Sequence, residues 1–379
     1  MIELGSTAAL RPRLETAFEF AQRQVRRLAQ QHPDFYPMYT REGRWKHDGE
    51  AWTHWCDGFL PGMMWIFSQR MGDPGWRQAA ERYSRPLEPR RLDRAVHDLG
   101  FIFMSTYYRW LQLSGDPALD QVLIDAGRTM ALRFQPKGRY LCSFLGPESL
   151  FIDIMMNVGI IFYAFERTGE RSLFDVALEH SLTSRRVLVR GDGSTAHEGI
   201  YDTSSGEFLR QSTRQGLRGD SCWSRGLTWA LYGFGTVFQH TRDARFLETA
   251  EACAGFYLRH TTADGAPPWD YDIGPGDRQL VDTSAAAIAA AGLLQLSTLV
   301  SDAARSMLYR NAAFRILEAL AGPPHLASDR PGWEGILRGG VYHIHKGLGV
   351  EESVMWGEYF FVEALDRALQ VLGEAAKMK

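Results

Sequence analysis

Cysteine is scarce. Four residues, Cys56, Cys142, Cys222 and Cys253, are scattered over 379 positions with no CxxC pair. That argues against a disulfide framework and against thiolate metal sites, and leaves buried free thiols as the expectation. Neither charge sign is in excess: 42 basic against 45 acidic residues give a net charge of -3. No electrostatic case exists for nucleic acid or an anionic membrane as partner. Residues 1–13 lack the apolar core of a signal peptide. The most apolar stretch, Ser284 to Val300, is alanine-rich, bounded by Asp282 and Asp302, and too short for a comfortable bilayer span. A soluble, cytoplasmic protein is expected, monomeric or weakly dimeric. Strand-type alternation is nearly absent, and no Pro/Gly/Ser linker divides the chain, so residues 1–379 read as one domain.

What is present is helical periodicity. About twelve segments carry it: 11–31, 58–71, 75–88, 98–114, 117–133, 149–168, 171–190, 223–241, 243–260, 283–300, 302–320 and 353–373. Only short pieces near Arg139–Ser143 and Gly340–His345 look extended. Tight turns such as Gly72-Asp73-Pro74, Ser114-Gly115-Asp116-Pro117 and Thr168-Gly169-Glu170 join some helices. In these, Gly closes one helix in a left-handed conformation and an acidic residue or Ser caps the next. Long loops, 32–57, 134–148, 191–222, 261–282 and 321–352, join the others. Short and long connections alternate. That predicts six helix hairpins closed into a ring, an (α/α)6 barrel, with the even-numbered helices inside and their N-termini at the long-loop end. An open superhelix of helix pairs is the competing arrangement.

The long-loop end collects the reactive residues. Asp98 opens one inner segment, in HDLGF, and Asp153 another, in FIDIMMN. An aspartate at a helix start is commonly a cap or a dipole partner, and Asp282 before Thr283-Ser284 reads as a plain cap. The dipole favours the charged carboxylate, whereas a general acid needs a raised pKa. A second carboxylate or an apolar wall supplies that, and Asp153, between Phe151, Ile152, Ile154 and Met155, is the better candidate for it. Eleven tryptophans, many beside loops, suit stacking on sugar rings. His54, His97, His197, His343 and His345 show no HExxH spacing, so neither a metal nor any cofactor is expected. A sugar epimerase leaning on His343 and His345, and a non-catalytic sugar-binding ring, are the other readings that these residues leave open.

Taken in order, WxxWCDGFLPGMMW, HDLGF, FIDIMMN, AHEGIYD, CWSRGLTWALYGF, PPWDYD, DTSAAAIAA and EESVMWGEYFFVEAL resemble glycoside hydrolase family 88, the unsaturated glucuronyl hydrolases, from Trp52 to Leu365. The resemblance implies an (α/α)6 ring. It also implies removal of a C4=C5 unsaturated uronic acid from the non-reducing end of oligosaccharides left by polysaccharide lyases, by hydration of the vinyl ether. Asp153 would be the general acid/base and Asp98 its partner, holding the sugar's 2- and 3-hydroxyls. His97, His197, Gln211, Thr213, Gln215, Arg225, Trp229, Tyr342, His343 and Lys346 would line the substrate site, with Trp52 as a stacking platform. The related family 105, which prefers uronate linked to rhamnose, shares the ring and one aspartate. The paired HDLGF and FIDIMMN runs favour family 88. The sugar that follows the uronate stays open, because Leu227 and the run Tyr342-His343-Ile344-His345-Lys346 depart from the familiar pattern.

Overall fold

The computed structural model of the chain describes residues 4–45 and 54–377. Among them the helices follow the predicted order, with one inner segment broken in two. They are α1 (Leu4–Gln31), α2 (Phe59–Met71), α3 (Pro74–Ser84), α4 (Leu99–Ser105), α5 (Tyr107–Ser114), α6 (Ala118–Ala131), α7 (Gly159–Thr168), α8 (Arg171–Leu188), α9 (Ser224–Thr241), α10 (Ala244–His260), α11 (Thr283–Leu299), α12 (Ala303–Leu320) and α13 (Met355–Lys377). Gly72, Gly115 and Gly169 close α2, α5 and α7 at φ 64°, 67° and 74°. The side chains of Asp73, Asp243 and Asp302 cap the helices that follow them, accepting from the backbone N–H of Gly75, Arg245 and Arg305. Glycine takes the positive φ without strain, and the carboxylates satisfy orphan N–H groups, so these turns stay tight.

The ring closes. Inner helices pack in succession, α2 on α4 and α5, α4 on α7, α7 on α9, α9 on α11, α11 on α13, and α13 back on α2. That contact between the last helix and the first inner one excludes an open superhelix and makes the architecture an (α/α)6 barrel. Burial separates the layers. Helix α11 is buried at every position from Thr283 to Ser297. The outer α1 buries one stripe, including Leu14, Phe18, Ala21, Val25 and Leu28, at the spacing of an amphipathic helix. The alanines of α11 let its neighbours approach closely. A Cβ at its Gly292 would meet the Leu231 side chain at 2.6 Å. No helix of the described residues is long and apolar enough to cross a membrane. The four cysteines are free and buried.

Two predicted segments come out differently. Segment 75–88 stops being α-helical at Ser84 and continues as a 3-10 turn, Arg85–Leu92. Pro86 and Pro89 lie within that turn and remove the amide donors that an α-helix would need. Segment 149–168 is helical only from Gly159. The extended pairs are β1 (Phe134–Gln135) with β2 (Tyr140–Leu141), and β3 (Ser149–Phe151) with β4 (Glu198–Tyr201), which also pairs with β5 (Phe208–Ser212). A 3-10 turn, Ile152–Met156, joins β3 to α7. Three residues are too few to display a strand period, and the Ser149 hydroxyl, which donates to Glu198, secures a pairing made across nearly fifty residues of chain. Near the C-terminus β6 (Gly340–His343) pairs with β7 (Leu348–Glu352), where extended chain was expected.

Candidate active site

The site is assembled where α4 meets the 3-10 turn before α7. Gly100 permits the approach: a Cβ there would sit 2.5 Å from the Cα of Asn157. Asn157 accepts the Phe101 N–H at 2.7 Å through its side-chain oxygen. This contact brings Asp98, just before α4, and Asp153, in the 3-10 turn, into one small cavity with Trp55, His97, Phe144, Phe151, Gln215, Arg225 and Tyr342. Asp98 stands at the N-cap position of α4, yet its side chain caps nothing. Asp153 is likewise in no regular helix. Its Oδ2 is buried and has no hydrogen-bond partner among the described residues. A buried, orphaned carboxylate oxygen is costly unless something binds it, so it marks a place for a substrate proton.

Each carboxylate faces one histidine in the same way. His97 Nδ1 accepts the Phe144 N–H at 3.0 Å, so the ring proton sits on Nε2, 3.4 Å from Asp98 Oδ1. His197 Nδ1 accepts the N–H groups of Arg214 and Gln215, and its Nε2 lies 3.7 Å from Asp153 Oδ2. Burial holds both imidazoles well below the ordinary histidine range, so they stay neutral, each with its Nε2–H side towards its carboxylate. The carboxyls move the other way. Burial lifts Asp98 to about 8, with the Asp153 charge adding to the rise. Burial lifts Asp153 to about 6, against the pull of Arg225. The expected order is therefore reversed: Asp98 has the higher pKa. The helix dipole, worth up to ~1 kcal/mol at a terminus, is outweighed by desolvation of a group only 5% exposed.

The remaining candidates divide into three groups. Gln215 and Tyr342 line the cavity, and Trp229 packs beneath it against Phe101 and Phe360. Thr213 acts one layer back, its hydroxyl 3.1 Å from His197 Nδ1. His343 is buried within ring contact of Tyr342 and His345, close enough for its charge to act on His197. Gln211 does not face the cavity: its amide bridges the Val187 carbonyl and the Arg190 guanidinium. Lys346 is exposed in the short 3-10 turn after β6 and is not among the residues around the two aspartates. Trp52 lies outside the described residues. Among the described residues no set of three His, Cys, Asp or Glu side chains is arranged to hold a metal ion.

Arg225 lines the cavity, as expected, and is also held on every side by the protein. It is 1% exposed, and its guanidinium is already spoken for. Nη1 donates to Asp282 Oδ2 and the Val341 carbonyl, Nη2 to Gln215 Oε1 and the Tyr342 carbonyl, and the plane stacks between Trp223 and Trp356. Asp282 also caps α11 through Ser284 and accepts the Val341 N–H, so it is more than the plain cap that its sequence context suggests. Arg225→Ala leaves Asp282 buried without its cation. We expect a loss of about 3–5 kcal/mol in unfolding free energy by urea titration. Wild-type stability with a raised KM would instead make the guanidinium a substrate ligand. Trp55, Phe144, Phe151 and Asp282 are the site residues that sequence reasoning missed. A helix start with no charge other than Arg225, among Trp223, Leu227 and Trp229, was the available signal for Asp282, since a buried cation needs an anion.

The geometry is that of two buried carboxylates sharing a cavity in a closed helical ring. The profile of Glycosyl Hydrolase Family 88 matches residues 21–260. The chain belongs to Glycosyl Hydrolase Family 88. The unsaturated glucuronyl hydrolase of a Bacillus species is 32% identical over 329 residues, covering 83% of this chain and 86% of the relative. The unsaturated chondroitin disaccharide hydrolase of Streptococcus pneumoniae is 30% identical over 326 residues, covering 83% and 82%. A crystal structure of an unsaturated glucuronyl hydrolase specific for heparin aligns with TM-score 0.88 at 30% identity, covering 95% of this chain and 98% of that one. Membership in family 88 extends over the strands and loops that carry Asp98 and Asp153, both within the matched residues.

Proposed function

We propose that the chain removes a C4=C5 unsaturated uronic acid from the non-reducing end of lyase-derived oligosaccharides, as a single (α/α)6-barrel catalytic domain. Asp153, protonated, delivers its proton to C4. Positive charge develops at C5 and the ring oxygen beside the carboxylate so formed. That carboxylate then takes a proton from the water that adds to C5, which restores Asp153. The C5 hemiketal opens to a ketone, and the hemiacetal left at C1 releases the next sugar. One water is consumed in all. Asp98, still protonated near neutral pH, donates a hydrogen bond to a sugar hydroxyl. Neutral His197 steadies Asp153 without competing for its proton. Gln215 and Tyr342 wall the ring, held in place by Arg225.

The observation that carries this reading is the orphaned Oδ2 of Asp153, buried in a cavity whose other acid is also raised. The test is a panel of unsaturated disaccharides with different second sugars, followed by loss of the ultraviolet absorbance of the conjugated alkene. Absorbance should fall with sugar release, and saturated glucuronides should stay intact. Cleavage of a saturated glucuronide with no alkene consumption would reject the hydration chemistry. Preference for a rhamnose-linked uronate would move the specificity towards that of family 105.

The pH dependence has a definite sign. Asp153 must be protonated for the first step and its pKa is about 6. Activity should therefore fall as pH rises through about 6, and EDTA should leave it unchanged. A rate still climbing above pH 8 would contradict Asp153 as the donor.

A further inference from the structure

A second cavity, well larger than the one between the aspartates, opens elsewhere in the barrel. It lies at the other end of the barrel, has a volume of about 620 Å³, and opens between the exposed side chains of Gln112, Glu166, Arg167 and Gln239. Its floor is Phe59, Phe101 and Phe360. Phe101 also packs on Trp55 and Trp229 from the active face, so one aromatic layer separates the two cavities.

The deep wall carries an unbalanced charge. Arg109 and Arg367 share a single carboxylate, Glu363, at 2.7 Å and 3.4 Å. Burial raises the Glu363 carboxyl, but the two guanidiniums outweigh it and hold the group below its usual range, so the trio keeps one net positive charge. The Tyr232 hydroxyl donates to Glu363 and accepts from Arg367, and the Tyr359 hydroxyl accepts from Arg109. Helix C-termini gather at this end, and their partial negative charge favours cations. That effect fades within the last turn, and Arg109 and Arg367 stand more than a turn before Ser114 and Lys377, where α5 and α13 end. The inner helix is also broken here, at Thr106 (φ -114°, ψ -83°), between the stretches that line the cavity. Irregular backbone inside a helix is common at functional sites. The rings of Tyr108 and Tyr163 and the amides of Gln112, Gln239 and Gln295 complete a lining of aromatic faces and hydroxyl-binding groups.

We propose that this second mouth binds a small hydroxylated carboxylate of the size of a uronic acid, with the carboxylate at Arg109 and Arg367 and the ring against the tyrosines. Pockets for small ligands run from about 300 to 1,000 Å³, and the cavity falls within that range. The proposal does not depend on the chemistry assigned to the active face. It is tested by calorimetric titration of the intact protein with sodium glucuronate. Wild type should show one saturable site more than either Arg109→Gln or Gln112→Trp, the second of which plugs the exposed mouth and leaves the buried network untouched. Glucose should not compete at that site, since it lacks the carboxylate. Equal stoichiometry in wild type and Gln112→Trp would overturn the proposal, as would glucose displacing glucuronate. A change confined to Arg109→Gln would also overturn it, as that pattern reports damage to the network and not loss of a ligand.

Discussion

Asp153→Asn should abolish turnover in a protein that still folds. The amide cannot give up a proton to carbon or take one from water, and losing a positioned acid/base costs roughly 10²–10⁴ in rate. Here one residue serves both steps, so the upper part of that range is expected. Folding should survive, because the substitution removes a buried carboxyl whose Oδ2 has no hydrogen-bond partner among the described residues. The measurement is kcat on an unsaturated disaccharide beside a thermal melt. Near-wild-type kcat in a folded variant would remove Asp153 from the chemistry.

Asp98→Asn should slow the reaction by roughly 10² and stabilise the protein at alkaline pH. A carboxyl whose folded pKa is about 8 stays protonated in the native state while the unfolded chain releases its proton near 3.8. Its contribution to stability is complete below about pH 4 and is lost as pH rises through about 8. Four pKa units correspond to a cost on the order of 5 kcal/mol at most. Asparagine keeps the neutral shape and escapes that cost, so Tm should rise relative to wild type at pH 8 and match it near pH 4. The alkaline limb of the rate profile should stay where it is. Asp153 ionises near 6 while Asp98 is still neutral, and one neutral group replaces another. A limb shifted to lower pH would mean that Asp98 is charged when Asp153 titrates. A melt unchanged at pH 8 would mean that burial does not hold the Asp98 proton.

The ring was legible because its evidence is local. Gly72, Gly115 and Gly169 end helices by backbone sterics, Asp73, Asp243 and Asp302 start them by capping, and both effects act within four residues. The strand that leads into Asp153 was not legible. Residues 149–151 pair with 198–200, and 198–201 pair in turn with 208–212; no local period records a partner that far along the chain. The same distance hid Asp282, whose cap on α11 is written in Asp-Thr-Ser but whose ion pair with Arg225 spans 57 residues.

By itself, then, the sequence determined the helix order, the alternation of short and long connections, and the end of the barrel at which Asp98 and Asp153 meet, since propensity, capping and amphipathic burial are properties of short stretches. Only the tertiary structure decided how each residue works there. Which aspartate is harder to ionise depends on how completely packing removes water from it, and the prediction from flanking residues had that order reversed. Whether Arg225 faces substrate or protein depends on acceptors supplied by Asp282, Gln215, Val341 and Tyr342, three of them far along the chain. Desolvation and the satisfaction of buried donors are set by everything around a group at once, and that arrangement exists only after the ring has closed.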